Sequence, residues 1–138
     1  MSGQALADAA SGLVGTPFRL HGRDPQTGVD CLGLLGAALD AIGQPSSLPV
    51  GYRLRNRITP DLDAIARRCG LVTAHGCIRA GDVIVVRAGS LQLHLLIATW
   101  PDGHVHAHAG LRRVVRVPGW PTDPIVGRWR LTDQKTES

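Results

Sequence analysis

Gly28-Val29-Asp30-Cys31-Leu32-Gly33-Leu34 is the stretch on which the reading of this chain turns. Leu32, Leu35, Leu39 and Ile42 follow at spacings of three and four, the apolar face of a helix. Asp30 is a good N-cap, and Gly43, Gln44 and Pro45 form a stop, so a helix is expected over residues 31–42. Cys31 then lies on the first turn, where unpaired N–H groups and the positive end of the macrodipole favour thiolate over thiol. The plainer reading is that Cys31 is a small buried apolar residue, as free cysteines often are.

Working outward, residues 4–14 place Leu6, Ala9, Ala10, Leu13 and Val14 on one face of a short amphipathic helix that stops at Gly15. Residues 15–29 read as an ordered loop carrying Phe18 and Leu20. After the Cys31 helix, Arg53, Arg55 and Arg57 alternate beside Tyr52 as in a short edge strand with the arginines outward. Thr59 caps a further helix with Pro60 at its first position and Asp61 and Asp63 in its first turn, running to Cys69 and stopping at Gly70. Beyond Ile78 the pattern becomes β: residues 83–87, 91–99, 104–109, 111–117 and 125–131, with Pro101-Asp102-Gly103 as a turn. Helices followed by about five antiparallel strands predict an α+β fold in which the sheet packs on the Cys31 helix. Residues 132–138 read as a frayed polar tail.

A thiol nucleophile needs a base, and the base needs a third group to fix its tautomer. His94 stands in the otherwise apolar run Leu93-His94-Leu95-Leu96-Ile97, where an imidazole demands a reason. His104, His106 and His108 alternate on the next strand and so share one face. The turn between the strands makes His94 and His106 near neighbours, giving the order Cys31, His94, His106, with His104 and His108 at the surface or rim. Zinc held by His104, His106 and His108 with Cys31 or His94 as a fourth ligand is the competing arrangement. No metal-binding spacing accompanies them, no acidic residue stands within the cluster to serve as base, and no metal or other cofactor is expected.

The chain has 138 residues and reads as one domain spanning 1–138, large enough for a core without disulfides. Three cysteines, Cys31, Cys69 and Cys77, do not form a disulfide framework. Net charge is +4, yet the arginines are scattered and aromatics make up only 4%, so neither a basic run nor a stacking platform for nucleic acid is present. The first ten residues lack a basic n-region and no apolar run reaches the length of a membrane span. The expectation is synthesis in the cytoplasm without a signal peptide, no membrane anchor and no nucleic-acid partner.

Taken in order, Gly15-Thr16-Pro17-Phe18-Arg19-Leu20-His21-Gly22, the Asp30-Cys31 stretch, Arg79-Ala80-Gly81-Asp82-Val83-Ile84, His94 to Ile97 and Val105-His106-Ala107 resemble the NlpC-type cell-wall cysteine peptidases. Within these the chain looks closest to the small proteins encoded with phage tails and gene transfer agents. The resemblance implies a papain-like α+β fold with Cys31 as nucleophile, His94 as base and His106 as orienting residue. It also implies hydrolysis of peptidoglycan stem peptides, phage-like tail proteins as partners and incorporation into a phage-like particle. A non-catalytic tail component that binds wall peptide or a tail partner is the alternative. Two departures stand out: Phe18 where many members have tyrosine, and His21 and Leu32 where many have glycine and serine. Phenylalanine offers no hydroxyl. His21, Phe18 and Asp30 are therefore candidate auxiliary or substrate-binding residues.

Overall fold

The computed structural model describes residues 3–46, 48, 61–89 and 92–132. Its elements in chain order are α1 (Gly3–Ser11), β1 (Arg23–Asp24), β2 (Gly28–Val29), α2 (Cys31–Ala41) and α3 (Leu62–Arg68). They continue with β3 (Leu71–Thr73), β4 (Val83–Gly89), β5 (Gln92–Thr99), β6 (Gly103–His108), β7 (Arg113–Pro118) and β8 (Ile125–Leu131).

The Cys31 helix α2 forms as its sequence dictates. Asp30 caps it, its carboxylate accepting from the Gly33 N–H at 2.9 Å, and Leu32, Leu34, Leu35, Ala38 and Leu39 are buried. Ile42 is the C-cap and Gly43 takes φ +74°, a conformation open to glycine. α1 ends at Ser11, short of the expected Val14, because residues 12–15 tighten into turns, with Leu13 N–H donating to Ala10 and Thr16 N–H to Leu13. α3 starts at Leu62 with Asp61, not Thr59, as its N-cap: the Asp61 carboxylate accepts from the Ala64 N–H at 3.0 Å. Thr59, Pro60 and the Arg53–Arg55–Arg57 alternation lie outside the described residues.

The main sheet holds six strands in the order β3-β8-β4-β5-β6-β7, antiparallel at each pairing, where five were expected. The extra strand is β3, three residues paired with β8 from Leu71↔Leu131 to Thr73↔Trp129. It is too short to show alternation. β1 and β2 form a separate two-stranded hairpin within the loop before Cys31.

Alternation along the strands sorts the core into two faces. Val83, Val85, Leu95, Ile97, Val105, Val114, Trp129 and Leu131 pack with Leu6 and Ala10 of α1 and with the buried face of α2. Ile84, Val86, Leu96 and Ala98 form a smaller cluster on the other face, against Ile78. Burial on both faces explains why β4 and β5 read as continuous apolar runs.

One buried carboxylate locks the sheet to the loop before β4. Asp82, wholly buried, accepts from Arg130 Nε at 2.7 Å, Arg128 Nη1 at 3.0 Å and the Arg79 N–H at 3.0 Å. The Gly81-Asp82-Val83 element of the resemblance is thus a structural clamp between that loop and β8. No described helix is long and apolar enough to cross a membrane.

Candidate active site

The site begins with two short loops that must approach each other closely. A methyl group on Gly33 would sit 2.0 Å from the Gly22 carbonyl oxygen, and one on Gly22 would sit 2.1 Å from the Gly28 carbonyl oxygen. Glycine at these positions lets the first turn of α2 dock on the 22–28 hairpin. Asp30 fastens the junction. Besides capping Gly33, its carboxylate accepts from Arg23 Nη1 at 2.7 Å and from the His21 N–H at 3.0 Å. Asp30 is therefore fully occupied in holding Cys31 in place.

The opposite wall comes from strands that part. β5 and β6 pair from Thr99↔Gly103 to Ile97↔Val105 and no further, whereas β6 stays paired with β7 as far as His108↔Arg113. The gap left between β5 and β6 is the end that carries His94, His106 and His108. Continued, the register would set His94 opposite His108. Instead the imidazoles join on the diagonal, His94 Nε2 to His106 Nδ1 at 2.9 Å, with ring planes at 88°.

Cys31, His94 and His106 all line one open groove of about 530 Å³, with Phe18, Leu20, Asp30, Gln92 and His108 among the other wall residues. The Cys31 sulfur lies against the backbone of Leu95, the residue after His94, and against that of Leu32. Among the described residues no hydrogen bond joins Cys31 to His94. The three residues expected to act together thus share one cavity, with the second and third bonded directly. Phe18 is in the wall as expected, its N–H donating to the Arg112 carbonyl at 3.0 Å. His21 is not part of the lining; at φ 62° it serves through its backbone bond to Asp30.

Electrostatics at the site run against the sequence expectation for the thiol. Burial, the largest influence, pushes Cys31 from 9.0 up to about 11, helped by the Asp30 carboxylate; the backbone of Leu95 and Leu32 and the charge of Arg23 oppose the rise. The helix terminus does not win because burial outweighs the Leu95 and Leu32 backbone donors that favour the thiolate, and the Gly33 N–H is taken by Asp30. Burial also lowers His94, with repulsion from His108 and His104 adding to it and Asp123 opposing. His106 falls to about 4, again first through burial and then through repulsion from His94, His104 and His108. At neutral pH the resting site is a neutral thiol beside two neutral imidazoles.

With both imidazoles neutral, the tautomers of the pair are linked. One ring must donate across the 2.9 Å bond. If His94 donates from Nε2, its Nδ1 keeps a lone pair free to take a proton, and His106 carries its own proton on Nε2. His104 was expected at the surface or rim but is buried, 5% exposed, with Nδ1 donating to the Gly119 carbonyl at 3.0 Å. The flanking imidazoles are spoken for at Nδ1, since that of His108 accepts from the Leu111 N–H at 3.1 Å. Among the described residues no group of three or more histidine, cysteine or acidic side chains is arranged to hold a metal ion.

The α+β fold is that of the NlpC/P60 domains. Three solved structures carry the comparison. NlpC2 from Trichomonas vaginalis matches with TM-score 0.64 at 17% identity over 92% of this chain. An NlpC/P60 family protein from Bacillus cereus ATCC 10987 matches with TM-score 0.65 at 18% identity over 93%. The NlpC/p60 domain of peptidoglycan hydrolase SagA matches with TM-score 0.59 at 20% identity over 96%. The chain spans 47% and 39% of the first two proteins but 99% of the SagA domain. No protein-family model matches the sequence, and no curated protein matches it significantly.

Proposed function

We propose that this protein is a cysteine peptidase that hydrolyses peptide or amide bonds in peptidoglycan stem peptides. The observation that carries this reading is the His94–His106 bond of 2.9 Å in the groove that also receives the Cys31 thiol. Support also comes from the solved neighbours, one of which is a domain of a peptidoglycan hydrolase.

In the reaction, Cys31 Sγ attacks the scissile carbonyl while its proton passes to His94 Nδ1. The oxyanion of the tetrahedral intermediate is met by the Cys31 N–H, which has no partner within the helix at this first position. The C–N bond breaks, the amine takes the proton from His94, and an acyl-enzyme remains. Water, deprotonated by His94, then attacks the thioester and returns the thiol. His106 holds the His94 ring and its tautomer throughout, in the manner of the third member of a triad. Because the resting thiol is neutral, proton transfer accompanies attack and no thiolate accumulates beforehand.

The particle-associated role follows from the sequence resemblance: the peptidase acts as part of a phage-like tail or gene transfer agent, with tail proteins as partners. Phe18 and the raised Cys31 thiol favour a second reading, a tail component that binds wall peptide without cutting it. Incubation with peptidoglycan stem fragments, followed by mass spectrometry of products, separates the two. The expected result is cleavage that falls at least about 10³-fold in Cys31→Ala. Equal cleavage by the variant would remove Cys31 from the chemistry. Binding without cleavage by either protein would establish the second reading.

A further inference from the structure

We propose that Trp100 and Trp120 form a platform on which sugar rings stack, and that it takes the glycan strand to which a stem peptide is attached. The choice of glycan rests on the peptidase reading above, whereas the platform itself lies outside the groove of that reading.

The first observation is where the aromatic side chains stand. Of those described, Trp129 is buried and Phe18 is partly buried in the groove wall, whereas Trp100 and Trp120 are 74% and 37% exposed. Both lie at one end of the sheet, Trp100 on the turn joining β5 to β6 and Trp120 just after β7. These two segments are bonded to each other, the Gly119 N–H donating to the Asp102 carbonyl at 2.7 Å. Arg116 braces the turn, its Nε donating to Thr99 Oγ1 at 3.2 Å and its Nη2 to the Pro101 carbonyl. The indoles are thus carried on a fixed backbone, which lowers the cost of ordering them around a ligand.

The second observation joins this end of the sheet to the groove. His104 shares a strand face with His106, their ring centroids 5.6 Å apart, and its Nδ1 donates to the Gly119 carbonyl at 3.0 Å. The segment after Trp120 runs on past the histidine pair: Asp123 is close enough to act on the charge of His94, and the Pro124 carbonyl accepts from the Arg87 N–H at 2.9 Å. Along β6, Gly103 stands three residues before His106, roughly 10 Å of strand. About three extended residues of a stem peptide cover that span, so a peptide in the groove sets its carrier sugars at the platform.

The chemistry of the patch suits a neutral sugar better than an anion or a protein. The charged residues of segments 99–103 and 118–124 are Asp102 and Asp123, both exposed, and the nearby Arg116 guanidinium is committed within the turn. An indole face packs on the C–H face of a pyranose while carboxylate and carbonyl oxygens accept its hydroxyls. The other exposed large apolar side chains lie elsewhere, Val14, Leu20 and Leu111 in the segments bonded at the start of β7, and Val72, Ile125 and Val126 on β3 and β8. Two indoles without an apolar surround fall short of the roughly 800 Å² per partner that a stable protein interface buries.

The test titrates a β-1,4-linked N-acetylglucosamine tetramer, which carries no peptide, into wild type, Trp100→Ala, Trp120→Ala and Trp120→Tyr by calorimetry, with circular dichroism to check the fold. Wild type is expected to bind, each alanine variant at least about 10-fold more weakly, and Trp120→Tyr, which keeps an aromatic face, in between. A second arm gives Cys31→Ala a stem peptide with and without its attached disaccharide. The sugar-bearing form is expected to bind about 10-fold tighter, an advantage lost when Trp120→Ala is added. Tetramer binding that depends on both tryptophans, with no cleavage of stem fragments by wild type, upholds the platform and removes the peptidase reading. Cleavage without tetramer binding, or binding that survives both alanine variants, overturns the platform and leaves the peptidase reading standing. Self-association that Trp100→Ala abolishes, without sugar binding, also overturns it and assigns the patch to a second copy of the chain.

Discussion

At Cys31 two local effects compete, and the structure shows which prevails. A cysteine on the first turn of a helix gains from the macrodipole by amounts on the order of 1 kcal/mol. Here burial prevails, and the Asp30 side chain adds to it by placing a negative charge next to the thiol and occupying the Gly33 donor. The position of Cys31 was legible in its sequence neighbours, but its ionisation was not, because burial of the thiol comes from tertiary packing that the local sequence does not carry. Alkylation tests the outcome directly. The rate at Cys31 with iodoacetamide is expected to lag that of exposed Cys77 at pH 7 and to keep rising with pH toward about 11, without a plateau near neutrality. Peptide mapping by mass spectrometry reads each cysteine separately; a neutral-pH plateau at Cys31 would mean a preformed ion pair. The histidine pair was equally legible in kind, since an imidazole in an apolar strand required a partner. Its diagonal geometry was not, because it depends on where β5 and β6 stop pairing.

Long periodic elements could be read from the chain, and short ones could not. α2 and the strands β4 to β8 lie within a few residues of their expected bounds, since their apolar patterns run for six residues or more. β1, β2 and β3 are two or three residues each and leave no pattern to detect. Yet the β1–β2 hairpin is what presents α2. Gly33 meets Gly22, and Gly22 meets Gly28, at distances no side chain could share. Gly33→Ala is therefore expected to push α2 away from Gly22, costing about 3 kcal/mol or more in urea unfolding and most of the activity. Asp30→Asn, which keeps the cap oxygen but loses the charge beside Arg23, is expected to cost about half as much as Asp30→Ala, itself about 2–3 kcal/mol. The same series read in kcat separates stability from placement of Cys31. Near-normal activity in folded Gly33→Ala would show that the hairpin contact does not position the nucleophile.

For the molecule as a whole, the site sets limits on the pH range of stability. His106 titrates near 4 in the folded chain against 6.5 when unfolded, and His94 is displaced in the same direction. Between those values the unfolded chain binds more protons, so stability is complete above about 6.5 and falls as the pH drops through 4. Cys31 acts at the other end. Its thiol, raised from 9.0 to about 11, holds its proton more tightly when folded, so its contribution is present below 9.0 and declines as the pH rises toward 11. A buried thiol–imidazole cluster kept neutral thus confines the fold to a plateau between these limits. His106→Gln is expected to flatten the acid limb, recovering about 2 kcal/mol between pH 6.5 and 4 after allowance for its partial exposure. Cys31→Ala is expected to flatten the alkaline limb and leave the acid one unchanged. Urea midpoints measured across pH for wild type and both variants give the answer as differences, which cancels the titration of every other group. If His106→Gln shifted the midpoint equally at pH 4 and pH 7, the neutral histidine pair would not be a source of the acid sensitivity, and protonation would have to be met elsewhere in the sheet.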